Sequence, residues 1–507
     1  MKFRLPSSEK IITILGYFMN FFEGKQWVTF WGMLSLTMFL TACGSSSGGG
    51  SSPDDNGDDG IDIPAASLTA VLETNALIAF NAYSDSLEAS QALLTAINAF
   101  VADPTEPNLT AAKTAWLAAR EPYGQTEAYR FRLGPIDSTD GINEDGPEGR
   151  INAWPLAEAL IDYVAPTPGA PDVVDGVDQA DVFPPTSPAL SSNAIADAVG
   201  FPTIDKDTIA TLNEADGDEA NVATGYHAIE FLLWGQDLYN DPTDVNIWTG
   251  ENGDDRLIGG GFRPVSDYNT SGGCTSGAGS PQADSVCTRR GQYVQAAAQL
   301  LVDDLQILVD AWDPDGTGNH YEDFVAGGES SLAVIFESMG RLGFGELAGE
   351  RMNIALEQDS QEDEHSCFSD NTHRDIVLNE QGIVNSYYGT YLDTQDYDSN
   401  REIGTDDGMG IDELLREVGL ESEASALEAA MTAARNAIGV INAKAKAVGG
   451  TETFDMQIAP GNATGNADVR AAIDALVEQT NAIQDVINAL DLEAGDLKQD
   501  TEEPIEP

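Results

Sequence analysis

Basic residues are scarce in this chain. Lysine and arginine number 24 against 85 aspartates and glutamates in 507 residues, a formal net charge of −61. A field of that sign repels nucleic acid and concentrates cations, so nucleic acid is excluded as a partner. Most of the charge reads as adaptation to salty surroundings, where screening weakens self-repulsion. Acidity alone therefore marks no metal site. Histidine is scarcer still: His227, His320, His365 and His373 are all there are. The zincin pattern HExxH is absent, and the inverted form fails because Phe231 stands where its second histidine belongs. The apolar run at 27–40 falls short of the ~20 residues that span a bilayer.

That run has another use. Lys2, Arg4, Lys10 and Lys25 precede it, and Leu40-Thr41-Ala42-Cys43-Gly44 follows. A basic segment, an apolar segment and small residues before a cleavage point make a secretory signal. Small residues directly before a cysteine resemble a bacterial lipobox. The resemblance implies a signal peptide at 1–42, cleavage before Cys43 and a lipid on its thiol. Gly44 is not the aspartate that retains many Gram-negative lipoproteins at the inner membrane, so the outer membrane is the expected address. Residues 43–64 are rich in Gly, Ser, Asp and Pro and read as a flexible tether. Cys274 and Cys287 bracket a Gly/Ser-rich loop, and an oxidising compartment favours pairing them. Cys367 is then left over, or it displaces one of the pair, since spacing does not settle connectivity.

The ordered stretches read as helix. Leu87, Leu94, Ile97 and Val101 share a face, as do Val469, Ile473, Leu476, Thr480, Ile483, Ile487 and Leu490. Amphipathic, Ala-rich runs cover about 108–132, 291–312, 331–358, 379–392 and 422–448. Alternating strands are lacking. The expected fold is all-α: a helical bundle over 65–240, an irregular connection over 241–290, a second bundle over 291–495 and an acidic tail over 496–507. Asp313–His320 looks superficially like a calcium loop, but its twelfth place is Phe324 rather than a bidentate glutamate, so it reads as a turn. Recurrent glycines at 340, 343, 345 and 349 predict close helix packing there.

His227 and Glu230 lie at i and i+3 in a segment of helical composition, and so share a face. An imidazole and a carboxylate together suit iron, zinc or copper. Gly225 would admit close approach of a backbone or ligand. The spacing alone also fits a His–Glu pair on a helix surface. Gly225-x-His227-x-x-Glu230 resembles the GxHxxE signature of the imelysin family, the M75 peptidase-like or iron-regulated protein A-like proteins. Trp116–Glu127, Gly134–Asp137, Ile151–Leu156 and Glu364–His373 resemble further segments of it. The resemblance runs from about residue 65 to 490. It implies two helical-bundle domains with the signature helix near their interface, in an exported protein linked to iron uptake.

Trp116, Arg120, Tyr123, Glu127 and Arg130 are spaced 4, 3, 4 and 3 and form one face, with Pro122 expected to bend the helix. Beside the resemblance, this face makes Glu127 a third metal ligand. Tyr123, Arg120, Arg130 and Gly225 then support the ligands; an Arg–Glu ion pair on a solvated face is the plainer account. His365 is a candidate fourth ligand reaching across to His227, or a loop residue held by hydrogen bonds. His373 reads as the latter. The combined expectation is a lipid-anchored, metal-binding protein, with iron ahead of zinc or copper and a transport protein as partner. The alternative is a metallopeptidase of the M75 type.

Overall fold

The computed structural model describes residues 61–132, 134–139, 141–142, 145–164, 193–215, 221–236, 261, 263–276, 281–358, 363–391, 408–446, 452–459 and 461–498. The expected signal peptide, Cys43, the expected tether up to residue 60, and residues 165–192 and 237–260 lie outside these. The fold is all-α. Among the described residues no strand forms, and extended backbone pairs only in an isolated bridge between Thr275 and Pro281. No described helix is long and apolar enough to cross a membrane.

Helix α1 (Ala65–Ala102) has neither glycine nor proline and buries Leu72, Ala76, Ala79, Tyr83, Leu93, Ile97 and Phe100 on one stripe. Helix α2 (Glu106–Thr126) follows Thr105 and carries a proline in its first turn, where the missing N–H costs nothing. It stays helical through Pro122 and tightens into a 3-10 turn over Glu127–Tyr129. Short helices α3 (Glu148–Ile151), α4 (Glu158–Ile161) and α5 (Lys206–Ala210) lead to α6 (Gly225–Trp234). Every residue of α6 is buried, as expected for a helix apolar all round. Helix α7 (Asp284–Trp312) packs on α1 and α6. The cysteines that flank its approach, Cys274 and Cys287, are joined as a disulfide, and Cys367 is a buried free thiol.

Helices α8 (His320–Ala326) and α9 (Glu329–Arg341) come next. The single helix expected over 331–358 then changes its winding. A π-helix over Leu342–Ile354 separates α9 from α10 (Ala355–Gln358). Such a run is far longer than the single-turn bulges usual in proteins. Gly343, Gly345 and Gly349 lie in this run. At the end of α9, Gly340 lies so near Leu497 that a Cβ would sit 2.8 Å from Leu497 Cδ1.

Helix α11 (Thr372–Tyr388) begins seven residues before the expected 379. Ser366 and Asp370 adopt left-handed backbone just before it, and the turn they make delivers the chain into the helix early. Helices α12 (Ile411–Glu417), α13 (Glu421–Lys446), α14 (Phe454–Ile458) and α15 (Ala463–Ala489) complete the order. Helices α13 and α15 pack together, α15 also covers the π-helix, and α11 touches α2 on one side and α13 on the other. That position of α11 brings residues of 363–375 against α2 and α6.

Candidate metal centre

Helix α6 starts where little but glycine fits. Gly225 has φ +78°, and a Cβ there would lie 2.3 Å from the Ile151 carbonyl oxygen. The close approach sets α6 against α3 and turns His227 and Glu230 inward, both fully buried. His227 Nδ1 lies 2.9 Å from Glu230 Oε2. The other carboxylate oxygen, Oε1, accepts from the Ser369 amide at 2.9 Å and the Ser369 hydroxyl at 2.7 Å. His227 Nε2 lies 3.2 Å from His365 Nε2. His365 Nδ1 in turn lies 2.7 Å from Asp375 Oδ2. Four side chains thus form one buried row: Glu230, His227, His365, Asp375.

Left-handed Ser366 and Asp370 make this row possible by folding His365 back over the first turn of α11. Thr372 Oγ1 donates to the His365 carbonyl and Ser366 Oγ to Asp375 Oδ2. Non-glycine residues at positive φ are uncommon and cost energy, and two of them beside a buried histidine mark a site that the surrounding contacts hold in place. Asp375 is anchored by Arg120, whose Nη2 donates to Oδ1 at 2.9 Å. The Arg120 guanidinium also donates to Asn152 Oδ1 and lies over the Tyr226 and Tyr123 rings. Half-buried Trp154 turns a ring edge to His227, with centroids 4.8 Å apart, and to Phe368.

The partners fix where the protons sit. Despite burial, Arg120, His365 and Ser366 hold the Asp375 carboxyl well below its usual range, so it is ionised and accepts a hydrogen bond from His365 Nδ1–H. His365 Nε2 is then a bare lone pair. Burial and the Arg351 charge lower His365 to about 4, and burial with His365 holds His227 well below its usual value, so neither ring becomes a cation near neutrality. His227 must therefore present Nε2–H, leaving Nδ1 as an acceptor. The proton Nδ1 accepts comes from Glu230, whose carboxyl burial pushes up to about 8 against the Ser369 hydrogen bond. The row is satisfied with one proton in each gap.

A metal ion fits this arrangement as a replacement for the central proton. Two nitrogens on one tetrahedral ion at about 2.0–2.1 Å stand about 3.3 Å apart, close to the 3.2 Å seen between the two Nε2 atoms. Each outer ring nitrogen already meets a carboxylate, the arrangement that orients metal-bound histidines. The pair is as far as the preassembly goes: among the described residues no group of three or more His, Cys, Asp or Glu is arranged to hold an ion.

The sequence-derived candidates divide accordingly. His227 and His365 face each other. Glu230 engages His227 and Ser369. Glu127 is bonded by Arg130 at 3.1 Å, Arg351 at 3.0 Å and Asn152 at 3.3 Å, and with burial opposed by these two arginines its carboxyl is held down to about 2. Arg130 joins Glu127 to Glu148 and Glu346, with which it lines a cavity of about 680 Å³. Tyr123 is buried under Arg120. His373 bonds the Asp370 carbonyl, and His320 packs on Trp312 and Phe324. Sequence reasoning passed over Asp375, Ser369, Asn152, Trp154 and Arg351. Asn152 and Trp154 lie in a segment marked by the family resemblance. Ser369 lies in another, Glu364–His373. Asp375 and Arg351 carry no local signal, since their partners are 224 to 255 residues away or, for His365, ten residues across an irregular turn.

The family profile described as Imelysin (Peptidase_M75) matches residues 79–483. A solved structure assigned as an iron-regulated protein A precursor from Parabacteroides distasonis ATCC 8503 is similar at 17% identity and a TM-score of 0.55, over 86% of this chain and 98% of that one. An imelysin-like protein from Psychrobacter arcticum 273-4 matches at 13% identity and a TM-score of 0.49, over 86% and 99%. At such identities the first likeness is one of fold. No curated protein matches the chain significantly.

Proposed function

Because the chain belongs to the imelysin family, we propose that it is an extracytoplasmic metal-binding protein of an iron-uptake system, with the His227–His365 pair as its metal-binding core. The observation that carries the reading is the buried Nε2–Nε2 contact of 3.2 Å with both outer nitrogens held on carboxylates. Imidazole suits iron, zinc and copper alike. Iron is preferred because a protein of similar fold is assigned as iron-regulated. On loading, the His227 Nε2 proton leaves and the Glu230 proton moves to Nδ1, so one proton is released overall. A lipid on Cys43 would hold the body at the outer membrane, and the tether would let it reach a membrane transport protein.

A peptidase would need a free carboxylate beside the metal as general base. Glu230 has both oxygens engaged, which favours binding over hydrolysis. Metal analysis and calorimetry of the soluble body with iron, zinc and copper test the reading. One tight site is expected, lost in His227→Ala and in His365→Ala. Undiminished binding in both variants rejects it. Detergent partition of the full chain, abolished by Cys43→Ala, tests the anchor.

A further inference from the structure

Glu380 lies on α11 and Gln479 on α15, 1% and 0% exposed. Gln479 Nε2 donates to Glu380 Oε2 at 3.0 Å. The other oxygen of each group, Glu380 Oε1 and Gln479 Oε1, is buried with no partner. Two acceptors thus lie idle in one bonded pair, and a buried acceptor left unpaired is costly. Among the described residues no arginine or lysine bonds this carboxyl, and a bare buried carboxylate is costlier still.

One proton removes both costs. A neutral carboxylic acid and a primary amide pair at two points: the acid O–H donates to the amide oxygen, and the amide N–H donates to the acid carbonyl. With the proton on Oε1, Glu380 gives Gln479 Oε1 a donor and keeps the bond it already accepts. The surroundings favour this neutral form. Arg435 on α13 is the one charge acting on Glu380, and its Nη2 lies 3.5 Å from Gln381 Oε1. The π-helix presents Gly343 to Gln479 and Thr480, and α1 reaches α11 through the neutral Asn75. Charged groups on the other elements against α11 are bonded elsewhere: Arg120 and Glu121 on α2 to Asp375 and Arg374, Glu127 to Arg351, Asp412 on α12 and Glu428 on α13 to Arg416, and Glu337 to Arg341 on α9. Burial, against Gln479 and Arg435, pushes the Glu380 carboxyl up to about 8.

We propose that Glu380 and Gln479 form a proton-operated clip that ties α11 to α15, closed while a proton bridges the two groups and released when the carboxyl ionises. The clip goes beyond the metal-binding reading and needs no metal to act. It bears on the histidine pair through α11, which carries the Asp375 carboxylate that holds His365. In the closed pair the acid keeps its proton. Once the pair separates into water, the carboxyl returns to its ordinary value of 4.5 and sheds it. Opening therefore grows easier as pH rises above 4.5, by up to about tenfold per unit, and levels off above about 8.

Hydrogen exchange of the metal-free protein, corrected for intrinsic rates, tests the clip between about pH 5 and 8. Protection of the amides around Glu380 on α11 and around Gln479 on α15 should fall in the wild type by up to about tenfold per pH unit relative to Glu380→Gln. The amide of that variant donates to Gln479 Oε1 without a titratable proton, so its protection should not follow pH. His227, His365 and Glu230 titrate in both chains and cancel from the difference. Amides of α7 should show no difference between the two. If Glu380→Gln does not fold, Glu380→Met, neutral and of similar length, should be equally flat. The same slope in wild type and variant, or a wild-type slope shared equally by α7, overturns the clip.

Discussion

Helix α6 is flanked by two buried polar clusters that differ in what they leave open. At its C-terminal end, Arg263 and Arg290 both bond Asp162, at 2.8 and 2.6 Å, and Arg263 lies 3.4 Å from Asp267. Two cations meet two carboxylates, Tyr163 and Thr275 donate to Asp267, and Arg263 also donates to the Phe231 carbonyl at the helix end. There the helix dipole welcomes positive charge. Within the helix, His227 and Glu230 belong to a row whose middle contact joins two imidazole nitrogens. The first cluster is electrically closed and pins the 261–276 loop. The second keeps one central proton, the one the proposed metal ion would replace. Burial and charge are common to both, so neither property separates them; the central imidazole–imidazole contact does.

The largest effect expected from this contrast is on stability. Asp162→Ala would strand two buried guanidinium groups and cost about 3–5 kcal/mol, read as a shift of the denaturant midpoint. Metal stoichiometry of the folded fraction should not change. A cost under about 1 kcal/mol would break the comparison.

Glu230→Gln sharpens it from the other side. The amide can still accept from Ser369 and donate to His227 Nδ1, so stability should move by less than about 1 kcal/mol. It would hold His227 in the Nδ1-acceptor, Nε2–H form, so metal affinity should fall by about 100-fold. Calorimetry in buffers of different ionisation enthalpy should also show one proton released per ion in the wild type. A count of zero would remove the proton from the middle of the row.

The smallest effect is on pH dependence. His365 titrates at about 4 in the folded chain against an ordinary 6.5, and His227 is lowered too. The unfolded chain binds more protons between these values, so this contribution to stability is full above pH 6.5 and lost as pH falls toward 4. Glu230, raised to about 8, contributes with the opposite sign across the same window, so the histidine contribution is read as a difference: the Tm of the metal-free wild type relative to His365→Gln should drop as pH falls from 6.5 to 4, by about 1 °C per kcal/mol in a chain of this length. Glu127, held to about 2 against an ordinary 4.5, adds to the loss only at the acid end of the window, where the unfolded carboxyl begins to bind its proton. His365→Gln should flatten the slope; an unchanged slope would place the acid sensitivity elsewhere.

Much of the fold was legible because apolar spacing is a local property. The stripe from Val469 to Leu490 is helix α15, buried as its period requires. His227 with Glu230 was legible for the same reason, being one helical turn apart. The partners that give the pair its chemistry were not. Asp375 meets His365 through a turn built on two left-handed residues that no propensity foretells. Arg351 owes its place to a π-helix, where side chains no longer follow the 3.6-residue period on which pattern reading depends. Ser369 reaches Glu230 across 139 residues of chain.

Trp154 gives the row an optical consequence. Its indole edge stands against His227, with ring centroids 4.8 Å apart, and it remains only half-buried. Its excited state would lie within a few ångströms of an ion on the two imidazoles. Paramagnetic iron or copper there would darken its emission, whereas zinc, with a filled d shell, would leave it bright. An ion at the proposed centre would therefore report its own class through the emission of Trp154.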